Sequence, residues 1–135
     1  MKTKVIASEC YSGLFPKNSL SGFKYCVDNN IDGIEFDVHL SADRHVVVQH
    51  DYLLNRRITR DSSGSWLTKV GPALSDMKLE AIKHYDIGRY APGSYEDKDY
   101  PDYQPFDNER IPALREFLDY HKKCNATSEL WVELK

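Results

Sequence analysis

The chain has 135 residues, 41% of them hydrophobic, with a formal net charge of −3: the balance of one soluble domain that can build its own core. That charge leaves no basic footprint for nucleic acid and no polybasic membrane patch, and no apolar run approaches the roughly 20 residues that span a bilayer, so neither nucleic acid nor stable membrane insertion is expected. Met1 to Ala7 is too short in its apolar part for a secretory leader, and Cys10, Cys26 and Cys124 are odd in number and widely spaced, which points to a cytoplasmic protein with neither a disulfide framework nor a zinc site.

In chain order, Lys4 to Ser8 reads as a strand with Val5 and Ala7 on one face, and Ser12 to Asn18 as a turn-rich loop. Asn18 or Ser19 can cap a helix whose apolar positions are Leu20, Phe23, Cys26 and Val27, and Asn29-Asn30 with Asp32-Gly33 end it. Ile34 to Val38 is the next strand. Alternation puts Ile34, Phe36 and Val38 on one face and Glu35 and Asp37 on the other. Two carboxylates on one face of an apolar strand repel each other, so they either face solvent or share a hard divalent cation with oxygen ligands. Strand, helix, strand suggests a parallel sheet.

Only seven residues separate Val38 from Val46, the start of a third strand, too few for a crossover helix. Seven extended residues reach roughly 23 Å, against about 17 Å for a five-residue strand. An extended parallel return and an antiparallel pair therefore both stay open. The run ends in Gln49-His50-Asp51, with His50 on the face of Val46 and Val48, either an ordinary loop histidine or a group converging with Glu35 and Asp37. Tyr52 to Gly71 is polar and basic, and Ser75 is placed to cap a helix to about Tyr85 with Leu79, Ile82 and Tyr85 in one stripe. Ala91 to Arg110 carries Pro92, Pro101 and Pro105 among Tyr95, Tyr100 and Tyr103, which reads as a solvated loop or a tyrosine-rich lip over a pocket. Pro112 opens a helix with Leu114, Phe117, Leu118 and a packed His121 along one side. In the last strand, Leu130, Val132 and Leu134 share one face and Trp131, Glu133 and Lys135 the other; Glu133 is either the neighbour-partner of Lys135 or a third oxygen ligand.

Taken together, Ile6-Ala7 through Gly13-Leu14, Pro16 to Ser19, Asp32 to Val38, Val46 to Asp51, Ile111 to Glu116 and Glu133-Leu134-Lys135 form an ordered set that resembles glycerophosphodiester phosphodiesterases along the whole chain. The resemblance implies an α/β fold, the N-terminal half of a (β/α)8 TIM barrel, with residues 1–135 as the opening portion of about four strands, because such a barrel takes about 250 residues. An open half-barrel exposes strand edges and an apolar interior, so self-association is expected. By the same resemblance Glu35, Asp37 and Glu133 hold Ca²⁺ or Mg²⁺, His50 is one of two catalytic histidines, Lys135 sits near the phosphate, and Ser8 and Glu9 lie at the substrate. The implied reaction is metal-dependent hydrolysis of a small-molecule glycerophosphodiester to glycerol phosphate and an alcohol. A glycerol hydroxyl attacks phosphorus between two histidines, and water then opens the cyclic phosphate.

The family's His-Arg-Gly after the first strand is replaced here by Ser8, Glu9 and Cys10. A serine hydroxyl does not titrate near neutral pH, and a missing general acid or base lowers a rate by about 10²–10⁴. Two functions are therefore compatible with the sequence: a phosphoric diester hydrolase, and a catalytically silent relative that only binds metal or phosphodiester. The head group, including that of a lysophospholipid or phosphoinositide, stays open.

Overall fold

The strand that carries the acidic pair, β2 (Gly33–Leu40), is the one to which every other strand is bonded in the computed structural model, which describes residues 3–135. β1 (Ile6–Ala7) lies parallel to its start, Ile6 opposite Gly33 and Ala7 opposite Ile34. β4 (Glu129–Leu134) lies parallel along its other edge, from Glu129 opposite Gly33 to Leu134 opposite Val38. β3 (Val46–Val48) folds back antiparallel on the end of β2, Val38 opposite Val48 and Leu40 opposite Val46.

The seven-residue link is thus a hairpin. Ser41 Oγ accepts from the His45 amide at 2.9 Å and donates to Asp43 Oδ1 at 2.7 Å, while Arg44 takes the left-handed conformation at φ 63°. Of the two directions that the sequence left open, β3 takes the antiparallel one. Of the four strands, β1, β2 and β4 run parallel as consecutive staves do, and β3 is an antiparallel arm.

Two helices cover the apolar face of the sheet. α1 (Leu20–Asp28) is capped by Ser19, whose hydroxyl accepts from the Gly22 amide at 3.1 Å. Gly22 is required: a Cβ there would lie 2.2 Å from the Cys10 carbonyl oxygen. α4 (Leu114–Lys123) begins after Pro112, with the Glu116 carboxylate accepting from the Ala113 amide at 2.7 Å. Phe23 of α1 and Phe117 of α4 stack at 4.1 Å between ring centres, and Phe36 of β2 meets Phe117 edge-on at 5.1 Å. These rings, with Ile34, Val38, Cys26 and Val48, form the first core. A second core, Val47, Leu54, Leu74, Ile82, Ile87 and Ile111, lies beneath the long segment after β3.

That segment is more ordered than its composition suggests. Arg60 Nη2 ties it together, 2.7 Å from Asp86 Oδ2 and 2.9 Å from Asp107 Oδ1. The expected helix from Ser75 to Tyr85 is reduced to a 3-10 turn at Leu74–Asp76 and α2 (Leu79–Ile82). Its start is set by Asp43 of the hairpin, whose Oδ1 accepts from the Leu79 amide at 3.0 Å, and not by Ser75. The proline-rich stretch contains α3 (Tyr95–Asp99), capped by Ser94 Oγ accepting from the Asp97 amide at 3.2 Å. The first strand is shorter than expected, so Val5 is exposed while Ala7 is buried. His121 packs as expected, its Nε2 bonded to the Ser128 carbonyl. Trp131, Val132 and Leu134 of β4 are exposed, and among the described residues no helix is long and apolar enough to cross a membrane.

Candidate active site

Parallel register decides which acidic side chains meet. Asp37 stands opposite Glu133 on adjacent strands, roughly 4.8 Å apart in such a sheet, and Glu35 precedes Asp37 on the same face. Carboxylate oxygens of Glu35, Asp37 and Glu133 all lie within 4.8 Å of one another. The sheet therefore brings together the three acids that alternation had placed on matching faces.

Each acid is held by a neighbour. Asp37 is buried, and Asn18 grips it twice: Asn18 Nδ2 donates to Asp37 Oδ2 at 2.9 Å, and the Asp37 amide donates to Asn18 Oδ1 at 3.0 Å. Asn18 does this from the left-handed region, φ 54°, which asparagine tolerates better than most residues. Glu35 Oε2 accepts from Ser8 Oγ at 2.9 Å and from the Glu9 amide at 2.8 Å. Lys135 Nζ lies 2.7 Å from Glu133 Oε1 and 3.3 Å from Asp37 Oδ1. The bond to Glu133, with help from Asp37, raises the Lys135 pKa against the opposing effect of desolvation. One ammonium still leaves the three acids with surplus negative charge. An all-oxygen donor set of this spacing fits a hard cation such as Ca²⁺ or Mg²⁺.

A second group of possible ligands shares Asp37. Glu9, Cys10 and Tyr11 are consecutive left-handed residues, at φ 47°, 59° and 72°, and none is glycine. Each such residue stores about 1–3 kcal/mol of strain. The turn carries the Glu9 carboxylate inward until it, Asp37 and His50 present ligand atoms within 4.8 Å of one another. Lys17 Nζ pairs with Glu9 Oε2 at 3.2 Å; burial works against its charge, but Glu9 outweighs burial and raises its pKa. Ser8 and Glu9 thus stand at the first-strand exit as expected, Ser8 bonded to Glu35 and Glu9 beside His50.

His50 lies just past β3. Its Nδ1 is 3.0 Å from Asp51 Oδ1, and Asp51 Oδ2 accepts from Asn55 Nδ2 at 2.7 Å. Burial pushes the Asp51 carboxyl up, but the bonds from His50 and Asn55 prevail and hold it below the ordinary carboxylate range. An ionised Asp51 accepts from the Nδ1–H tautomer of His50, which leaves Nε2 as the ring nitrogen not bonded to Asp51. A cavity of about 230 Å³ opens beside His50, bounded by Glu9, Lys17, Gln49, Arg57, Tyr95 and Glu96. A larger hollow of about 490 Å³, on the far side of Asp51 around Tyr52, Arg56 and Val70, touches none of the three clustered acids.

Asn18, Lys17 and Asp51 were not singled out as site residues from the sequence. Asn18 was weighed only as a helix cap; its place inside the ordered run Pro16 to Ser19 was the available signal.

A sequence profile of the glycerophosphoryl diester phosphodiesterase family matches residues 10–133. The chain is 36% identical over 128 residues to YhdW of Bacillus subtilis, to which glycerophosphodiester phosphodiesterase activity is assigned, covering 93% of this chain and 44% of that one. It is 35% identical over 120 residues to the glycerophosphodiester phosphodiesterase of Caldanaerobacter subterraneus, covering 88% and 40%. Its fold superposes with a TM-score of 0.92 at 30% identity on a Silicibacter pomeroyi protein assigned to the same family, over 98% of this chain and 45% of that one. An Oleispira antarctica phosphodiesterase in complex with the product sn-glycerol-3-phosphate superposes with a TM-score of 0.69 at 28% identity, over 98% and 44%. The chain spans less than half the length of these relatives. Because the profile covers nearly all of it, the chain belongs to the glycerophosphoryl diester phosphodiesterase family.

Proposed function

We propose that residues 1–135 are the opening portion of a phosphoric diester hydrolase that cleaves glycerophosphodiesters to glycerol phosphate and an alcohol, with β1, β2 and β4 as the first staves of a (β/α)8 barrel. The observation that carries this reading is the convergence of Glu35, Asp37 and Glu133 on one point, with His50 sharing Asp37 as a neighbour. Barrel enzymes place their sites toward the C-terminal ends of the strands, and Asp37 and Glu133 fall in the C-terminal halves of the paired runs of β2 and β4, which supports this reading. Glu35, Asp37 and Glu133 would hold Ca²⁺ or Mg²⁺, and the ion, when bound, polarises a phosphoryl oxygen as a Lewis acid.

The chain's own groups supply the rest. Lys135 offers an ammonium to the diester phosphate. His50, oriented by Asp51, exchanges a proton at Nε2 with the reacting oxygen: the attacking glycerol hydroxyl loses its proton as its oxygen bonds to phosphorus, and the departing alkoxide gains one as its bond to phosphorus breaks; water then adds its oxygen to phosphorus as one ring P–O bond breaks, and the released glycerol oxygen takes the water's proton, giving glycerol phosphate. Ser8 donates its hydroxyl proton to Glu35 and provides no second imidazole. That observation favours the second reading, a binding-only relative.

Steady-state hydrolysis of a glycerophosphodiester with millimolar Ca²⁺ or Mg²⁺ separates the two. An active site loses about 10²-fold or more in turnover with His50→Ala. For a silent site in a protein that carries the complete barrel, wild type binds the diester without turnover, and Ser8→His combined with Glu9→Arg raises hydrolysis by about 10²-fold, a gain that disappears when His50→Ala is added. If neither form binds or hydrolyses a diester while folded and metal-loaded, the function is assigned wrongly.

A further inference from the structure

The segment after Ala91 does more than cover the surface. α3 turns its Glu96 inward, 5% exposed, to border the cavity beside His50. Glu96 Oε1 is 3.2 Å from Arg57 Nη2, but Glu96 Oε2 is buried with no hydrogen-bond partner among the described residues. Gln49, one residue before His50 and 1% exposed, borders the same cavity, and its Nε2 is likewise buried without a partner. Most buried polar groups are satisfied, and one left over needs an explanation. Here there are two, an acceptor and a donor, on residues that line one cavity of about 230 Å³ beside His50. A water-sized group occupies about 30 Å³, so the cavity has room for a small alcohol.

We propose that this cavity receives the alcohol portion of the diester and selects an uncharged polyol, such as glycerol or a cyclitol, over a quaternary ammonium alcohol. The inference rests on the assignment of the neighbouring site to glycerophosphodiesters. A hydroxyl both donates and accepts, so a polyol satisfies Glu96 Oε2 and the Gln49 amide together. The match survives turning the Gln49 amide over, because its oxygen would then need a donor and a hydroxyl still provides one. A trimethylammonium group neither donates nor accepts through its methyls and leaves both atoms stranded. Its charge is attracted by Glu96 and Glu9 but opposed by Lys17 and Arg57, which line the same walls. A primary ammonium donates to Glu96 but cannot accept from Gln49. Arg57 also holds the lip in place, since its carbonyl accepts from the Ala91 amide at 2.7 Å.

The test is calorimetric binding of glycerophosphoglycerol, glycerophosphoinositol, glycerophosphoethanolamine and glycerophosphocholine to the folded chain in millimolar Ca²⁺, with turnover followed in parallel. The polyol diesters are expected to bind about tenfold or more tighter than the choline diester. Gln49→Leu, which removes one stranded group without changing the charge of the walls, should bring that ratio toward one. Should Gln49→Leu fail to fold, Gln49→Met, judged by its melting curve, decides the matter. Equal affinities for all four diesters, or a ratio unmoved in folded variants, overturn the polyol subsite and leave the diester assignment standing. If no diester binds to the folded, Ca²⁺-loaded chain, the assignment of function falls and the subsite with it.

Discussion

Asn18 shows how much of the acidic cluster depends on a neutral residue. It satisfies Asp37 through two bonds, one of them to the carboxylate, in a place sealed from water. Asn18→Ala removes both partners and puts a Cβ residue with no local hydrogen bonding at positive φ. It is expected to lower stability by about 2–3 kcal/mol in urea unfolding and to weaken calcium binding in a titration. Lys135 is a test of the opposite kind. With its pKa raised by Glu133 and then Asp37, its contribution to stability is fully present below about 10.4, the unfolded value, and fades as pH rises through the folded one. The stability gap between wild type and Lys135→Met should therefore be constant near neutrality and close at strongly alkaline pH. The same substitution removes a positive charge beside the acids, so calcium should bind more tightly; weaker binding would show that the ion lies elsewhere. Alternation along two strands made Glu35, Asp37 and Glu133 readable from sequence. Glu9 was placed at the site by the family resemblance alone, because its approach to His50 depends on three left-handed residues that carry no glycine to announce them.

At the scale of elements, the site is fixed by what lies behind the sheet. Phe117 of α4 touches both Phe23 of α1 and Phe36, which sits between Glu35 and Asp37 on β2. Phe117→Ala is expected to lower unfolding free energy by about 3–5 kcal/mol, measured by chemical denaturation. The stripes of α1 and α4 were plain in the sequence because each helix is amphipathic by itself. The helix expected from Ser75 to Tyr85 was not, since its stripe of Leu79, Ile82 and Tyr85 is real while its start belongs to Asp43, thirty-six residues away in sequence. The β2–β3 link was open between two directions until Ser41 and Asp43 closed it as a hairpin. Local residues can be read from a pattern, but a cap supplied from another element cannot.

For the molecule as a whole, mutual repulsion among Glu35, Asp37 and Glu133 opposes folding, with Lys135 a partial remedy. Calcium or magnesium is expected to raise the melting temperature. An ion at a hundredfold over its Kd adds about 2.7 kcal/mol of stability, and Glu35→Gln or Glu133→Gln should remove most of the gain. A melting temperature that stays fixed across millimolar titrations of both ions in folded protein would refute a shared site. β4 bonds only to β2 among the described residues, and its Trp131, Val132 and Leu134 are 53%, 45% and 82% exposed. Residues 1–135 purified alone should therefore self-associate, with a sedimentation coefficient that rises with concentration. The parallel strands were implied by family resemblance and by the opening strand, helix and strand; the seven-residue link allowed an antiparallel third strand but did not choose it over an extended parallel return.

The arm has a further consequence. Val46 and Val48 pack into the first core and Val47 into the second, so the short β3 joins the two. His50 follows after Gln49, and its carbonyl accepts from His39 Nε2 at 3.0 Å on the strand that bears the acids. If Glu35, Asp37 and Glu133 hold the ion and His50 exchanges the proton, the two halves of the site are mounted on different elements joined by one short splice. Changes of length in the exposed turns between Tyr52 and Arg110 would then alter which molecules are admitted, while the acids stay where the parallel strands set them.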